Sequence, residues 1–484
     1  MTGMVSGTDL ALLAPELIVT AAGLLVLLLD LLPLQRSRGL LTGVSLVGLA
    51  TAFAVVVGQA GGARALAFSQ LHVVDDYALF FKGIFLASAA IVILAAARFL
   101  KDRGLAAGEF NALLLFATLG TLLMASANDL LSLFIGLETM SICSYALCGY
   151  MKRDQRCSEG ALKYLLMGVF STGVILYGMA LLYGATGSTA LPAVGKALGQ
   201  GLPNPAATLA MVLLAAGFGF KIAAVPFHMY LPDMYEGAPT PVVAFMAGAV
   251  ELAGAAVLVR VFLLALPGLR VDWALLFWVL SALTMTVGNL IAIAQTNVKR
   301  MLAYSTIAHM GYLLMGPVAG TQLGVSAVLF YSLVYALMTI GAFAVVILIA
   351  RATVQGDEID DFAGLGQRSP LAAAAMLLFL LSLTGIPPTA GFVGKFYLFA
   401  AAIDAGYIWL AIIAVVNSAI SLFYYMRVVM AMYMRELPAR GLVLSPSLAL
   451  HAALVLAALG TLLFGIDPGP LFAFAKASAA ALAG

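Results

Sequence analysis

The chain has 484 residues, of which 63% are apolar and only 10% charged, with a mean hydropathy of +1.09 and a formal net charge of +2. A soluble domain carries about a quarter charged residues, so this composition reads as an integral membrane protein. The small net charge, with no Lys/Arg-rich run and no aromatic platform, excludes a nucleic-acid partner.

Apolar segments of about 20 residues, long enough to span a bilayer, recur from end to end. Fourteen are expected: 10–32, 40–60, 77–98, 110–127, 129–150, 159–184, 206–231, 239–265, 273–295, 301–318, 322–350, 371–402, 405–432 and 447–466. The first lacks a basic stretch ahead of it and is full length, so it reads as a retained helix, not a cleaved signal. The Gly/Pro-rich stretch 185–205 reads as a loop, and 470–480 as a short amphiphilic remnant at the interface. No soluble domain is expected. The fold class is therefore all-α integral membrane, with about 14 transmembrane helices, two of them broken by proline.

Those two breaks stand out. Segment 206–231 contains Gly217-Phe-Gly-Phe-Lys221-Ile-Ala-Ala-Val-Pro226-Phe-His228, and segment 371–402 contains Thr384-Gly-Ile-Pro387-Pro388-Thr-Ala-Gly391. Proline lacks an N–H, so Pro226 removes the hydrogen bond to the carbonyl of Ile222. A break in a membrane helix survives only where protein or water re-satisfies the backbone.

Charge sets the expected orientation through the positive-inside rule. Alternate loops hold Arg36, Arg38, Arg98, Lys101, Arg103, Lys152, Arg153, Arg156, Lys299, Arg300, Arg351, Arg368, Arg427, Arg435 and Arg440. The opposite side holds only Arg64, Lys196, Arg260, Arg270 and Lys476. Both termini are therefore expected outside.

A weak internal repeat is visible. Asn128-Asp-Leu-Leu, an intramembrane acid and a Pro-broken helix are echoed by Thr296-Asn-Val-Lys-Arg, His309 and a second Pro-broken helix. Five helices per copy is odd, so the copies must sit inverted, a transporter signature. The expected units are an N-terminal three-helix segment (1–109), two repeats (110–266 and 267–436), and a C-terminal helix and tail (437–484).

Ionisable side chains inside apolar segments are costly, so they are the candidate site. Glu138 is mid-segment, with Ser141 and Tyr145 on the same helix face. It is either a structural carboxylate or a proton carrier that partners a lysine. Lys221, Glu251 and Lys395 lie deep; Lys163 either snorkels to the surface or joins them. Lys82, near a segment end, is expected to snorkel. His309, beside Tyr304, Ser305 and Thr306, can relay protons, and so to a lesser degree can His228. Neither histidine has the companions a metal or haem would need. The acidic clusters Asp233-Met-Tyr-Glu236 and Asp357-Glu-Ile-Asp360-Asp361 read as solvated or partner-facing. Cys143, Cys148 and Cys157 lack metal spacing and read as buried small hydrophobes. No iron–sulfur, dinucleotide or phosphate motif appears, so energy for any pumping comes from an ion gradient or a partner subunit.

Six stretches carry a family resemblance: Leu13-Ala-Pro-Glu-Leu-Ile, Phe220-Lys-Ile-Ala-Ala-Val-Pro-Phe-His228, Leu231-Pro-Asp-Met-Tyr-Glu-Gly-Ala-Pro-Thr-Pro241, Ala303-Tyr-Ser-Thr-Ile-Ala-His-Met-Gly-Tyr312, Asp361-Phe-Ala-Gly-Leu-Gly366 and Gly385-Ile-Pro-Pro-Thr-Ala-Gly-Phe-Val-Gly-Lys-Phe-Tyr397. With them the chain resembles the antiporter-like membrane subunits of respiratory complex I (NADH–quinone oxidoreductase) and of multisubunit cation/proton antiporters. The resemblance implies two inverted five-helix repeats and a proton path. In it Glu138 and Lys221 match a Glu/Lys pair, Lys395 the far lysine and Lys163 a further one. Glu251 departs from the pattern, because the family usually has its central lysine there. A carboxylate still passes protons, but its pairing logic is reversed: it would hold Lys221 charged.

The implied function is a proton-translocating subunit whose pumping is driven by quinone reduction elsewhere in the complex. The implied partners are other membrane subunits, including another antiporter-like one, together with membrane lipid and protons. NAD, FMN, iron–sulfur clusters and quinone are expected in partner subunits, and no cofactor or metal in this chain. The alternatives are a subunit of a multisubunit Na+/H+ antiporter, of a hydrogenase-linked complex, or a scaffold that has lost conduction.

Overall fold

A computed structural model describes residues 6–31, 38–200, 204–349, 356–436 and 447–483. Arg36, Arg351 and Arg440 of the expected basic loops, and the domain boundary at 437, lie outside the described residues.

The chain begins with α1 (Gly7–Leu12), α2 (Ala14–Leu31) and α3 (Arg38–Gln59), then a hairpin of β1 (Ala65–Ala67) and β2 (His72–Val74). There follow α4 (Asp76–Asp102), α5 (Ala107–Ala125), α6 (Leu130–Cys148), α7 (Gln155–Thr186), α8 (Leu191–Gln200), α9 (Pro205–Lys221) and α10 (Tyr230–Gly237). Next come α11 (Thr240–Phe245), a π-helical turn (Met246–Val250) and α12 (Glu251–Leu264), which run as one helix, and then α13 (Arg270–Ala292), α14 (Val298–Ala319) and α15 (Gln322–Ile349). The last part holds α16 (Leu365–Arg368), α17 (Pro370–Thr384), α18 (Ala390–Asp404), α19 (Ile408–Met434), α20 (Leu448–Ile466) and α21 (Gly469–Ala483). Among the described residues, 11 helices are long and apolar enough to cross a membrane; the broken segments supply shorter ones, Pro205–Lys221 and Pro370–Thr384.

Polar caps start these helices. Asp75 accepts from Ala78 N, Asp129 from Leu131 N, Asn297 from Arg300 N and Ser447 from Leu450 N. Each side chain satisfies a backbone donor that has no partner within the helix.

Burial orders the bundle. The membrane window of Thr240–Leu264 is 100% buried and that of Gln322–Ile349 is 89% buried, whereas those of α2, α3 and α20 are 33%, 28% and 28% buried. The α11–α12 helix is therefore the axis of the molecule, and the outer helices present leucine and valine outward, as lipid contact demands. Three hydrogen bonds or ion pairs tie α4 to this axis. Ser88 donates to Gly248 O, Tyr77 to Ala256 O, and Arg260 grips Asp75 with two bonds of 2.9 and 2.7 Å.

Three expectations are corrected. The stretch 185–205 is not simply a loop, because it contains α8. Leu191, Val194 and Leu198 make one apolar face, and Pro192 sits in the first turn, where no N–H is needed. The tail is not a short interfacial remnant. It is the 15-residue α21, whose Phe472 stacks on Tyr397 at 3.7 Å and whose Ala475 and Ala479 are buried. Lys82 does not snorkel. It is wholly buried, 2.7 Å from the Glu16 carboxylate in the first turn of α2, which covers it.

Candidate functional site

The first break positions Lys221. α9 stops at this residue, Ala223 adopts a left-handed φ of +52°, and the Val225–Pro226 bond is cis. At the break the Phe220 carbonyl accepts from Ala223 N at 3.0 Å and from the Tyr230 hydroxyl at 3.1 Å. The helix has already ended before Ile222. Lys221 is 4% exposed and its Nζ donates to Ser141 Oγ at 2.8 Å.

Glu138 lies one turn before Ser141 on α6. It is half-buried and accepts a hydrogen bond from Thr172 at 2.9 Å. The expected direct Glu138–Lys221 ion pair is not formed among the described residues. Ser141 takes the ammonium, and Glu138 acts on it through space. Both acceptors share one helix face, and the ammonium reaches the nearer turn.

The π-turn carries the chain into Glu251, the first residue of α12. Glu251 is wholly buried; Oε1 accepts from the Tyr235 hydroxyl at 2.6 Å and Oε2 has no hydrogen-bond partner among the described residues. Gly254, one turn further on, is where Lys221 packs: a Cβ there would lie 3.3 Å from the Lys221 Cβ. The base of the Lys221 side chain thus packs one turn along α12 from Glu251, but no ion pair within 4 Å joins the two among the described residues, so the expected Glu251 hold on Lys221 is not a direct contact.

From Glu251 a row of buried hydroxyl, amide and imidazole groups leads to Lys395. Thr306 lies near Tyr235 and accepts from the Tyr335 hydroxyl at 2.7 Å. His309 follows one turn along α14. Its Nδ1 meets the Tyr331 hydroxyl and its Nε2 the Tyr425 hydroxyl at 3.3 Å; Ser305 also bonds Tyr425. Tyr424 donates to Asn289 Oδ1 at 2.9 Å, and Asn289 reaches the Tyr312 hydroxyl at 3.5 Å. The Tyr312 ring lies 4.6 Å from the Lys395 ammonium.

The second break positions Lys395. α17 ends at Gly385 with φ +91°, a conformation that suits glycine, and the Pro387–Pro388 bond is cis. Lys395 Nζ donates to Leu383 O at 2.8 Å, Thr384 O at 2.9 Å and Ser418 Oγ at 3.0 Å. Its charge sits on the carbonyl end of α17, where the helix dipole favours a cation.

Other expected residues lie elsewhere. His228 is half-buried just before α10, its Nδ1 has no hydrogen-bond partner among the described residues, and it does not join the row. Lys163 pairs with Glu159 and Asp233, each at 2.7 Å, away from Lys221. The two acidic clusters are not merely solvated. Asp233 also takes Arg300 at 2.6 Å, Glu236 takes the same guanidinium at 3.0 Å, and Asp357 is buried 3.8 Å from Lys299. Burial raises the Asp233 carboxyl, but hydrogen bonds from Lys163 and Arg300 outweigh it and leave it below the usual carboxylate range.

Sequence reasoning missed two sets of residues. One is the tyrosines 235, 331, 335, 424 and 425; the one-turn spacing of Tyr331 and Tyr335 is the signal that could have found them. The other is a buried charge cluster at the far end of α4, made of Glu16–Lys82, Asp75–Arg260 and His72. Burial raises Asp75, yet the Arg260 charge overrides it and holds the carboxyl low. Burial, with the positive charges of Lys82 and Arg260, pushes His72 down to about 2. Among the described residues no cluster of His, Cys, Asp or Glu could hold a metal ion.

The comparisons with known proteins follow the same lines. The membrane family described as NADH:quinone oxidoreductase/Mrp antiporter matches residues 127–421. The chain is 45% identical over 471 residues to a protein of Trichlorobacter lovleyi named NADH-quinone oxidoreductase subunit N, covering 97% of this chain and 96% of that one. A chain of respiratory complex I from Thermus thermophilus superposes with a TM-score of 0.81 at 35% identity, over 95% of this chain and 98% of that one. A chain of the Mrp complex from Dietzia shares the fold, with a TM-score of 0.85 at 22% identity over 98% and 97% of the two chains.

Proposed function

The chain belongs to the NADH:quinone oxidoreductase/Mrp antiporter membrane family, and from that premise we propose that it is the proton-translocating subunit N of a bacterial NADH–quinone oxidoreductase. Relatives between 42% and 45% identical bear that complex's name, which favours it over an antiporter or hydrogenase-linked assembly. The Mrp likeness speaks for the fold alone. The redox chemistry, with NAD, FMN, iron–sulfur clusters and quinone, belongs to partner subunits. This chain contributes proton transfer within a membrane arm that includes another antiporter-like subunit. The basic loops face the cytoplasm and both termini the periplasm.

One observation carries the reading: the row of buried titratable and hydroxyl groups from Glu251 to Lys395. Such groups are expensive in a bilayer and are retained where charge must move. Protons reach Lys221, under the field of Glu138, and pass to Glu251. Tyr235, Thr306, Tyr335, His309 and Tyr425 then bridge to Lys395, the imidazole accepting on one nitrogen and donating from the other. The units 110–266 and 267–436 are inverted copies. Their shared order supports this: a polar cap on α6 and on α14, then a cis prolyl break in each.

Glu251→Gln tests the centre. It keeps an oxygen for Tyr235 and removes the titratable group. NADH-driven proton uptake by inverted membrane vesicles, per NADH oxidised, should fall. An unchanged ratio overturns the role of Glu251.

A further inference from the structure

We propose that α10 is a gate over Glu251, closed from the basic end of the bundle, with Asp233 and Gly160 as its positioning residues. The inference rests on the reading that Glu251 carries a proton. α10 has eight residues and is seated by two very close backbone approaches. A Cβ at Gly160 of α7 would lie 2.7 Å from Asp233 O, and a Cβ at Gly237 would lie 2.3 Å from Arg156 O. Cations then clasp it. Asp233 is bound by Lys163 at 2.7 Å and Arg300 at 2.6 Å, and Glu236 by Arg300 at 3.0 Å. The buried Lys299 donates to the carbonyls of Glu236 at 2.8 Å and Ala238 at 2.9 Å, closing the C-terminal end.

Two residues after Asp233, the same helix presents Tyr235 to Glu251. Side chains two apart on a helix point to roughly opposite sides, at about 100° per residue. The ion pairs on one side and the Tyr235–Glu251 bond on the other are therefore set by one rigid element. Lifting α10 from α7 breaks both.

The trigger is built into Lys163. Its ammonium lies between Glu159 and Asp233, each at 2.7 Å. A shift toward Glu159 leaves Asp233 to Arg300 alone, loosens α10 from α7 and withdraws the Tyr235 hydroxyl, and water at the basic end then reaches Oε2 of Glu251, which has no hydrogen-bond partner among the described residues. The charged groups facing Asp233 are Lys163 with Glu159 behind it on α7, Arg300 on α14, and Glu236 on α10 itself. Their balance keeps Asp233 ionised and the gate shut near neutral pH.

The test measures access to Glu251 in the intact membrane complex with a water-soluble carbodiimide, which couples to carboxyl groups, read by peptide mass spectrometry. Asp233→Asn removes the charge that is clasped. Gly160→Ala pries α10 off α7 and changes no charge. Each should raise Glu251 labelling about tenfold over the native complex, as expected if ~1.4 kcal/mol of closure is lost. Asp233→Glu keeps the clasped charge and should leave labelling native. Equal labelling in the native complex and Gly160→Ala overturns the gate, even where Asp233→Asn fails to assemble. Raised labelling together with normal pumping by Glu251→Gln supports the gate and overturns the proton role of Glu251, so the two failures are distinguishable.

Discussion

Replacing Lys395 separates two jobs that one ammonium performs. It bonds Leu383 O, Thr384 O and Ser418 Oγ at 2.8, 2.9 and 3.0 Å, which clamps the end of α17, and in the proposed pathway it terminates the proton row. In Lys395→Met the Thr384 carbonyl keeps its bond from Ser418 at 2.7 Å, so only the Leu383 carbonyl is left without this support. One unsatisfied buried carbonyl costs about 1–3 kcal/mol, and this is the expected destabilisation. Lys395→Arg keeps a cation with five donors, and the Tyr312 ring beside it suits a guanidinium. That variant should be near native in stability. A guanidinium does not release its proton in a protein, however, so transfer should stop. The assays are the denaturation midpoint of the purified complex and the protons taken up per NADH oxidised in inverted vesicles. The Met variant should lose both stability and pumping, the Arg variant only pumping. Full pumping by Lys395→Arg would refute a proton-releasing lysine, and native stability in Lys395→Met would refute the clamp.

The charge cluster on α4 yields two further predictions. Lys82→Met leaves the Glu16 carboxylate buried without its cation and should cost about 3–5 kcal/mol, while Glu16→Leu with Lys82→Met should recover most of it; denaturation midpoints of the three complexes decide. His72 is held neutral, with its pKa near 2 against an ordinary 6.5. The unfolded chain binds a proton below pH 6.5 that the folded chain refuses, so stability falls with pH there by up to about 1.4 kcal/mol per unit. His72→Gln should flatten that acid slope, and an unchanged slope in midpoint-against-pH curves would remove His72 as its source.

How much of this was legible in the sequence depends on contrast. A lysine, glutamate or histidine in an apolar segment is conspicuous, so Lys221, Glu251, His309 and Lys395 stood out, as did the breaks beside Pro226 and Pro387. A tyrosine in such a segment is not conspicuous, because it looks the same as a core aromatic until its hydroxyl is seen to bond. Tyr235 and Tyr425 were therefore invisible. Lys82 was misjudged because a lysine near a segment end ordinarily snorkels, and its counter-ion comes from another helix. The Glu138–Lys221 contact failed on finer grounds: pattern places Glu138 and Ser141 on one face but cannot say which turn receives the ammonium.

The acid at the centre of the row has an energetic logic that follows from its neighbours. A lysine at position 251 would put a third ammonium in line with Lys221 and Lys395, and loading any one would oppose loading the next. Glu251 reverses the sign. Protonated, it is neutral and adds no repulsion to either lysine. Deprotonated, it opposes in sign the cation at Lys221, whose Cβ packs one turn away at Gly254. In the proposed pathway, passing a proton from Glu251 toward Lys395 leaves a negative charge behind to draw the next proton in. The cost is a buried carboxylate, which its surroundings must offset; Tyr235 offers one short hydrogen bond and no cation lies within 4 Å among the described residues. The proton-loaded form of Glu251 is the neutral one. This differs from a lysine site, where the proton-loaded form is the charged one that burial disfavours. Glu251→Lys should therefore conduct, if at all, with the opposite dependence on the charge at position 221, and pumping in Lys221→Met made in both backgrounds measures that sign directly.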